Sequence, residues 1–121
     1  MEVPKVFESE YRLCLILWEH EPIKSSELVQ LCREQLGWKP TTTYTVIKRL
    51  CDKGCLKNEA AVVTSLVDRA TVQQADGQEV LQRSFHGSLP SFLAAFLRAG
   101  SVSDQEAAEI EQMLEEYRQS H

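Results

Sequence analysis

The chain has 121 residues, 43% of them hydrophobic and 26% charged, proportions that suit one compact domain or two small cooperating ones and exclude a collagenous, repetitive or disordered chain. Its longest apolar run, Leu13 to Trp18, is too short to span a bilayer and is flanked by Arg12 and Glu19, so neither a membrane helix nor a signal-peptide core is expected and the cytoplasm is the expected location. The net charge of −5 lies in the second half: residues 1–67 carry nine Lys/Arg against nine Asp/Glu, whereas residues 68–121 carry four against nine, which argues against generalised polyanion binding.

A first helix is predicted from a Ser9 cap to about His20, with Tyr11, Cys14, Leu15 and Trp18 as an apolar stripe that Leu13, Ile16 and Leu17 widen. Glu21-Pro22 ends it, because proline disfavours helix in the residue before it. Ser25-Ser26-Glu27 is expected to cap a second helix, carried by Leu28, Val29, Leu31, Cys32 and Leu36, that ends near Gln35, with Gly37 a left-handed stop. A third helix is predicted from Pro40 or Thr41, since proline suits the first helical turn, to Gly54. Thr43, Val46, Ile47, Leu50 and Cys51 mark its inner side. Cys55–Asn58 and Val62–Val67 read as short strands with a turn at Asn58–Ala61.

Three helices and a hairpin are the order of a winged helix-turn-helix. Helical pattern returns from about Thr71, breaks at His86-Gly87-Ser88, and resumes from Leu89 to Leu97. Ser103 and Glu106 form a predicted capping box for a last helix that runs to about Arg118. The expected fold is mainly α: a winged-helix domain over residues 1–68, followed by a helical dimerisation domain over residues 69–121.

The third helix carries the chemistry. Residues 36–57 hold five basic side chains (Lys39, Lys48, Arg49, Lys53, Lys57) against one acid, Asp52, a local basic patch on an acidic chain. Thr41, Thr42, Tyr44, Thr45 and Lys48 fall mostly opposite the Val46/Ile47/Leu50 face. A helix that enters the major groove needs small polar side chains near its N-terminus and cations further along. A threonine hydroxyl can meet base edges and its methyl can meet the thymine methyl. Tyr44 can reach a phosphate or sugar, Lys48 a phosphate or guanine, and Arg49 a phosphate or a structural partner. Lys39, Thr41, Thr42, Tyr44, Thr45, Lys48 and Arg49 are therefore the candidate DNA-binding residues. The competing reading is an ordinary surface helix, although four threonines in five positions suit helicity poorly.

No catalytic or metal constellation emerges. Cys14, Cys32, Cys51 and Cys55 form no CxxC pair and no disulfide framework is expected; Cys14 and Cys51, among apolar residues at helical spacing, read as core thiols, with a metal or redox site as the alternative. No spacing links His20, His86 or His121 to a nucleophile or ligand set, so neither an enzyme nor a cofactor is expected.

Trp38-Lys39-Pro40-Thr41-Thr42-Thr43-Tyr44-Thr45-Val46-Ile47-Lys48-Arg49-Leu50, followed by Lys53-Gly54, resembles the signature of the penicillinase-repressor (BlaI/MecI/CopY-type) family of bacterial transcriptional repressors. Glu10, Leu17-Trp18 and Pro22-Ile23 resemble the family's first helix and turn, and Leu66-Val67 the end of its wing. Gly87-Ser88-Leu89, Phe92 to Phe96 and Ser103-Asp104 resemble its C-terminal region.

The resemblance implies a homodimer bound to a palindromic double-stranded DNA operator that controls a resistance or stress operon. Phe92, Leu93, Phe96, Leu97, Ile110, Met113 and Leu114 would form the dimer interface, since they are more apolar surface than three short helices can bury alone. Three departures stand out. The wing turn Asn58-Glu59-Ala60-Ala61 lacks a cation. Antibiotic-responsive members are cleaved by a sensor-associated protease at an asparagine-phenylalanine bond, and the corresponding bond here is Ala95-Phe96. No cysteine follows Cys55, which leaves out the cysteine-rich end of copper-responsive members. Thr43 also stands where the family commonly has valine. The alternative to a DNA-reading repressor is a winged-helix module that binds protein without reading DNA directly.

Overall fold

The computed structural model describes residues 4–121. The elements run α1 (Glu8–His20), β1 (Ile23–Lys24), α2 (Ser25–Leu36), α3 (Pro40–Asp52), β2 (Leu56–Glu59), β3 (Val62–Ser65), α4 (Arg69–Phe85), α5 (Leu89–Ala99) and α6 (Asp104–Ser120). The chain divides into two compact units, the first ending at Gly77 and the second starting at Gln78.

The first unit is a winged helix-turn-helix. Leu13, Cys14 and Leu17 of α1, Leu28 and Cys32 of α2, and Val46, Ile47 and Leu50 of α3 are buried together with Cys55, Leu56 and Val63. Each large aliphatic side chain so buried contributes about 1.5–3 kcal/mol. Gly37 closes α2 in the left-handed region, at φ 70°, which turns the chain into α3. Trp18 donates its indole N–H to the Val67 carbonyl at 3.1 Å and stacks edge-on against Tyr11, so the chain leaving the wing is tied to α1.

Four points differ from expectation. Phe7, not Ser9, is the N-cap of α1; Glu10 reaches back to accept the Phe7 N–H at 2.9 Å, which leaves Ser9 inside the helix. Ser25 does not cap α2, because the chain enters that helix directly from a strand. Lys24 is the cap, with no side-chain hydrogen bond, and the Ser25 N–H donates to the Ala61 carbonyl at 2.8 Å. That strand, β1, was not expected; Ile23 pairs with Val63 and Lys24 with Val62, making a three-stranded sheet of order β1-β3-β2. The wing strands also shift: β2 starts at Leu56 rather than Cys55, and β3 ends at Ser65 rather than Val67. Ser65 ends there with both its N–H and its hydroxyl donating to the Glu21 carboxylate at 2.8–2.9 Å, which pins the wing to the turn after α1.

Glu59 pairs with Val62, so only Ala60 and Ala61 form the wing turn. Both lie at positive φ, 51° and 63°, as a tight two-residue hairpin requires. L-residues held there carry strain of about 1–2 kcal/mol each. Glycine relieves it but loses more freedom on folding. Ala61→Gly is therefore expected to stabilise the chain by about 0.5–1 kcal/mol, seen as a higher denaturation midpoint at unchanged slope. A midpoint that stays put or falls would contradict the strained turn.

Asp68 opens α4 by accepting the Thr71 N–H at 2.8 Å, so the helix begins before Thr71 and runs unbroken through Gly77. The hydrogen bonds from Thr71 also hold the Asp68 carboxyl below its usual range. In the second unit, Ser88 caps α5 by accepting the Ser91 N–H at 3.2 Å. The expected box at α6 is present: Ser103 Oγ accepts the Glu106 N–H at 3.0 Å, and Glu106 accepts the Ser103 N–H at 3.1 Å. Neither α5 nor α6 contains a fully buried residue. Phe92 bridges Phe85 and Phe96, with ring centroids 5.3 Å and 4.9 Å away, while Leu97 and Met113 remain 63% and 67% exposed.

Candidate nucleic-acid interface

The two faces of α3 differ sharply. Thr43, Val46, Ile47 and Leu50 are buried and hold the helix to the core. Thr41, Thr42, Tyr44, Thr45, Lys48 and Arg49 are exposed, as is Lys39 at the N-cap. The first turn has no acidic side chain and Lys39 supplies no cap, so the positive end of the helix carries no anion of its own. Thr41, Thr45 and Arg49 lie four residues apart and form one stripe; Tyr44 and Lys48 form the next. Thr45 donates its hydroxyl to the Thr41 carbonyl at 2.8 Å. Lys48 sits 3.5 Å from Asp52, with both side chains largely in water. Such a pair contributes at most about 1 kcal/mol and yields readily to a stronger anion.

Sequence reasoning missed a cleft beside this face. Ser9 from α1 and Trp38 from the inter-helix turn join Thr41, Thr42, Thr45, Val46 and Arg49 around about 340 Å³. That Thr41, Thr42 and Thr45 face away from the core was legible from spacing; that the start of α1 would lie next to them was not.

The basic patch also narrows. Lys53 pairs with buried Glu10, donates to the Lys5 carbonyl at 2.9 Å, and lies 4.6 Å from the Phe7 ring centre. It is a structural cation. Lys57 lies on the wing, 3.2 Å from Glu59. Lys39, Lys48 and Arg49 are left on the α3 face.

The thiols are placed for packing. Cys14, Cys32 and Cys55 are buried, Cys51 is half-buried, and all four are free. Burial pushes the Cys14 thiol up to about 12 and raises the other three, which suppresses the reactive thiolate. His20 Nδ1 lies 2.8 Å from the Ile16 carbonyl at the end of α1, a helix-end position. No helix of the described residues is long and apolar enough to cross a membrane.

Thr43 is 0% exposed, and its hydroxyl has no hydrogen-bond partner among the described residues. The Cys32 thiol is a neighbour toward which this hydroxyl can orient, an interaction that lowers the thiol against the larger rise from burial. An unpaired buried hydroxyl costs about 1–3 kcal/mol. Valine has nearly the same shape without the hydroxyl. Thr43→Val is expected to stabilise the chain by about 1–2 kcal/mol in chemical denaturation; a loss of stability would mean that the hydroxyl has a partner.

A family model described as "Penicillinase repressor" matches residues 7–116. The chain belongs to the penicillinase repressor family. That family consists of repressors, and the chain is accordingly not an enzyme. The penicillinase repressor of Bacillus licheniformis is 26% identical over 121 residues, spanning 97% of this chain and 94% of its own length. An uncharacterised 16.5 kDa protein from Latilactobacillus sakei is 26% identical over 115 residues, spanning 91% of this chain and 78% of its own. The solution structure of the DNA-binding domain of the repressor BlaI matches with a TM-score of 0.51 at 26% identity, over 58% of this chain and 90% of that one. The monomeric form of Bacillus licheniformis BlaI in complex with the blaP half-operator matches with the same TM-score, identity and coverage. The resemblance read in Trp38 to Leu50 thus holds over nearly the whole chain, and the expected winged helix-turn-helix is the fold observed.

Proposed function

We propose that this member of the penicillinase repressor family represses transcription as a homodimer on a palindromic operator, with α3 in the major groove. The exposed face of α3 carries the reading. Thr41, Thr42, Tyr44, Thr45, Lys48 and Arg49 project opposite a fully anchored face, at a helix N-terminus free of acids. Thr41, Thr42 and Thr45 sit where base edges come within reach; Lys39, Tyr44, Lys48 and Arg49 suit phosphates and guanine. The BlaI complex with a half-operator supports the same use of this fold. A repressor of this kind acts where the chromosome is, in the cytoplasm.

The dimer is supported by the second unit, whose apolar side chains have no core of their own. Phe92, Leu93 and Ile110 are half-buried, and Phe96, Leu97, Met113 and Leu114 are exposed. The Ala95-Phe96 bond lies inside α5. Relief of repression by a sensor-associated protease at that bond would depend on local opening of the helix, because proteases take extended chain.

Operator binding should fall steeply as salt rises. Lys48→Ala is expected to weaken binding across all sequences and to reduce the salt slope by about 1. Thr45→Ala should instead relax the sequence preference. Both are read by titrating the protein against its upstream DNA. Absence of binding even at low salt would favour the winged helix as a protein-binding module.

A further inference from the structure

We propose that α4 is a strut hinged at Gly77, which lets one dimer fit half-sites at more than one separation. The inference rests on the operator reading above and deepens it. Three observations carry it. First, Val72 is the one buried residue of α4. It is anchored near the N-terminal end by the Asp68 cap and by the bond from Gln73 to the Tyr11 hydroxyl at 3.2 Å. Beyond it, Gln74, Asp76, Gly77 and Gln78 are exposed and Ala75 is half-buried, so this stretch is held largely by its own backbone hydrogen bonds.

Second, the division between the two compact units falls at Gly77/Gln78, inside the helix. Third, nothing steric requires a glycine there. A Cβ added at Gly77 meets no atom within 4 Å, and its φ, unlike those of the other four glycines, is not positive. Glycine is the weakest helix former apart from proline. It therefore loosens α4 at the point where the two units divide, with no gain in packing.

The consequence follows from DNA geometry. One added base pair turns a half-site by about 35° and moves it about 3.4 Å. A rigid frame then loses simultaneous engagement of both half-sites, and the avidity with it. A hinge between reader and dimer-forming unit absorbs that change.

The test compares the full-length wild type with Gly77→Ala in two measurements. Without DNA, backbone ¹⁵N relaxation should give different tumbling times for amides before Gly77 and after Gln78 in the wild type, and converging ones in Gly77→Ala. A single tumbling time in the wild type would overturn the hinge. The second measurement uses duplexes with two copies of the half-site that the wild type selects from a random-sequence pool, at the preferred spacing and at one base pair more or less. The wild type should lose no more than about 3-fold at the altered spacings, and Gly77→Ala about 10-fold or more. Superimposable spacing profiles would also overturn the hinge. If the wild type binds no duplex but shows two tumbling times, the operator reading fails and the hinge stands.

Discussion

Lys53→Met is expected to destabilise the chain by about 3–5 kcal/mol, a large fraction of the roughly 5–15 kcal/mol available to a domain. Glu10 is 1% exposed, and one of its oxygens accepts from both the Phe7 N–H and Lys53. Its other oxygen is buried with no partner among the described residues. Removing the ammonium leaves a buried carboxylate uncompensated, the costliest way to break such a pair. Glu10→Leu should cost less, because the Lys53 side chain retains 27% exposure and can turn to water. The double variant Glu10→Leu/Lys53→Met should recover much of the loss, since replacing both ions by apolar groups removes the desolvation penalty as well. Equilibrium denaturation of the four proteins measures the cycle. Additive single losses would show that the two side chains act independently. The pair matters to the site as well: Lys53 caps the C-terminal end of α3, so the bond fixes where that helix ends against α1.

This pair also shows where sequence reading stops. The start of α3 was legible because it rests on local chemistry, with proline in the first turn; its end falls at Asp52 rather than Gly54, with Lys53 as the cap and Gly54 following in the left-handed region. Its exposed face was legible for the same reason, as a period of 3.6 places Thr41, Thr45 and Lys48 opposite Val46 and Leu50. Lys53 looked like one more member of a basic patch, because its partner lies 43 residues away. Strand β1 has two residues and forms through pairing with β3, so no periodicity announces it. The Ser9 cap failed because Glu10 supplies the acceptor for the N-terminus of α1 from inside the helix. The cleft beside α3 depends on Ser9 and Trp38 arriving from other segments, which only the packed core decides.

Leu97→Asp combined with Met113→Asp is expected to convert the protein to a monomer and to lower its affinity for a full operator by about 10²–10⁴-fold. These two side chains are among the most exposed large apolar groups in the molecule, at 63% and 67%, so charging them costs the isolated protomer little. In the proposed dimer the same positions would be covered, and each new carboxylate would be desolvated near its symmetry mate. The second half of the chain already carries nine acids against four bases, which sharpens the repulsion. Affinity for a single half-site should not change, because α3 and its anchoring core lie in the first unit. Sedimentation equilibrium reads the oligomeric state, and titration with full and half operators separates lost avidity from lost reading. A variant that stays dimeric would place the interface elsewhere. A variant that becomes monomeric yet binds the full operator as tightly as the wild type would show that repression does not rest on paired half-sites.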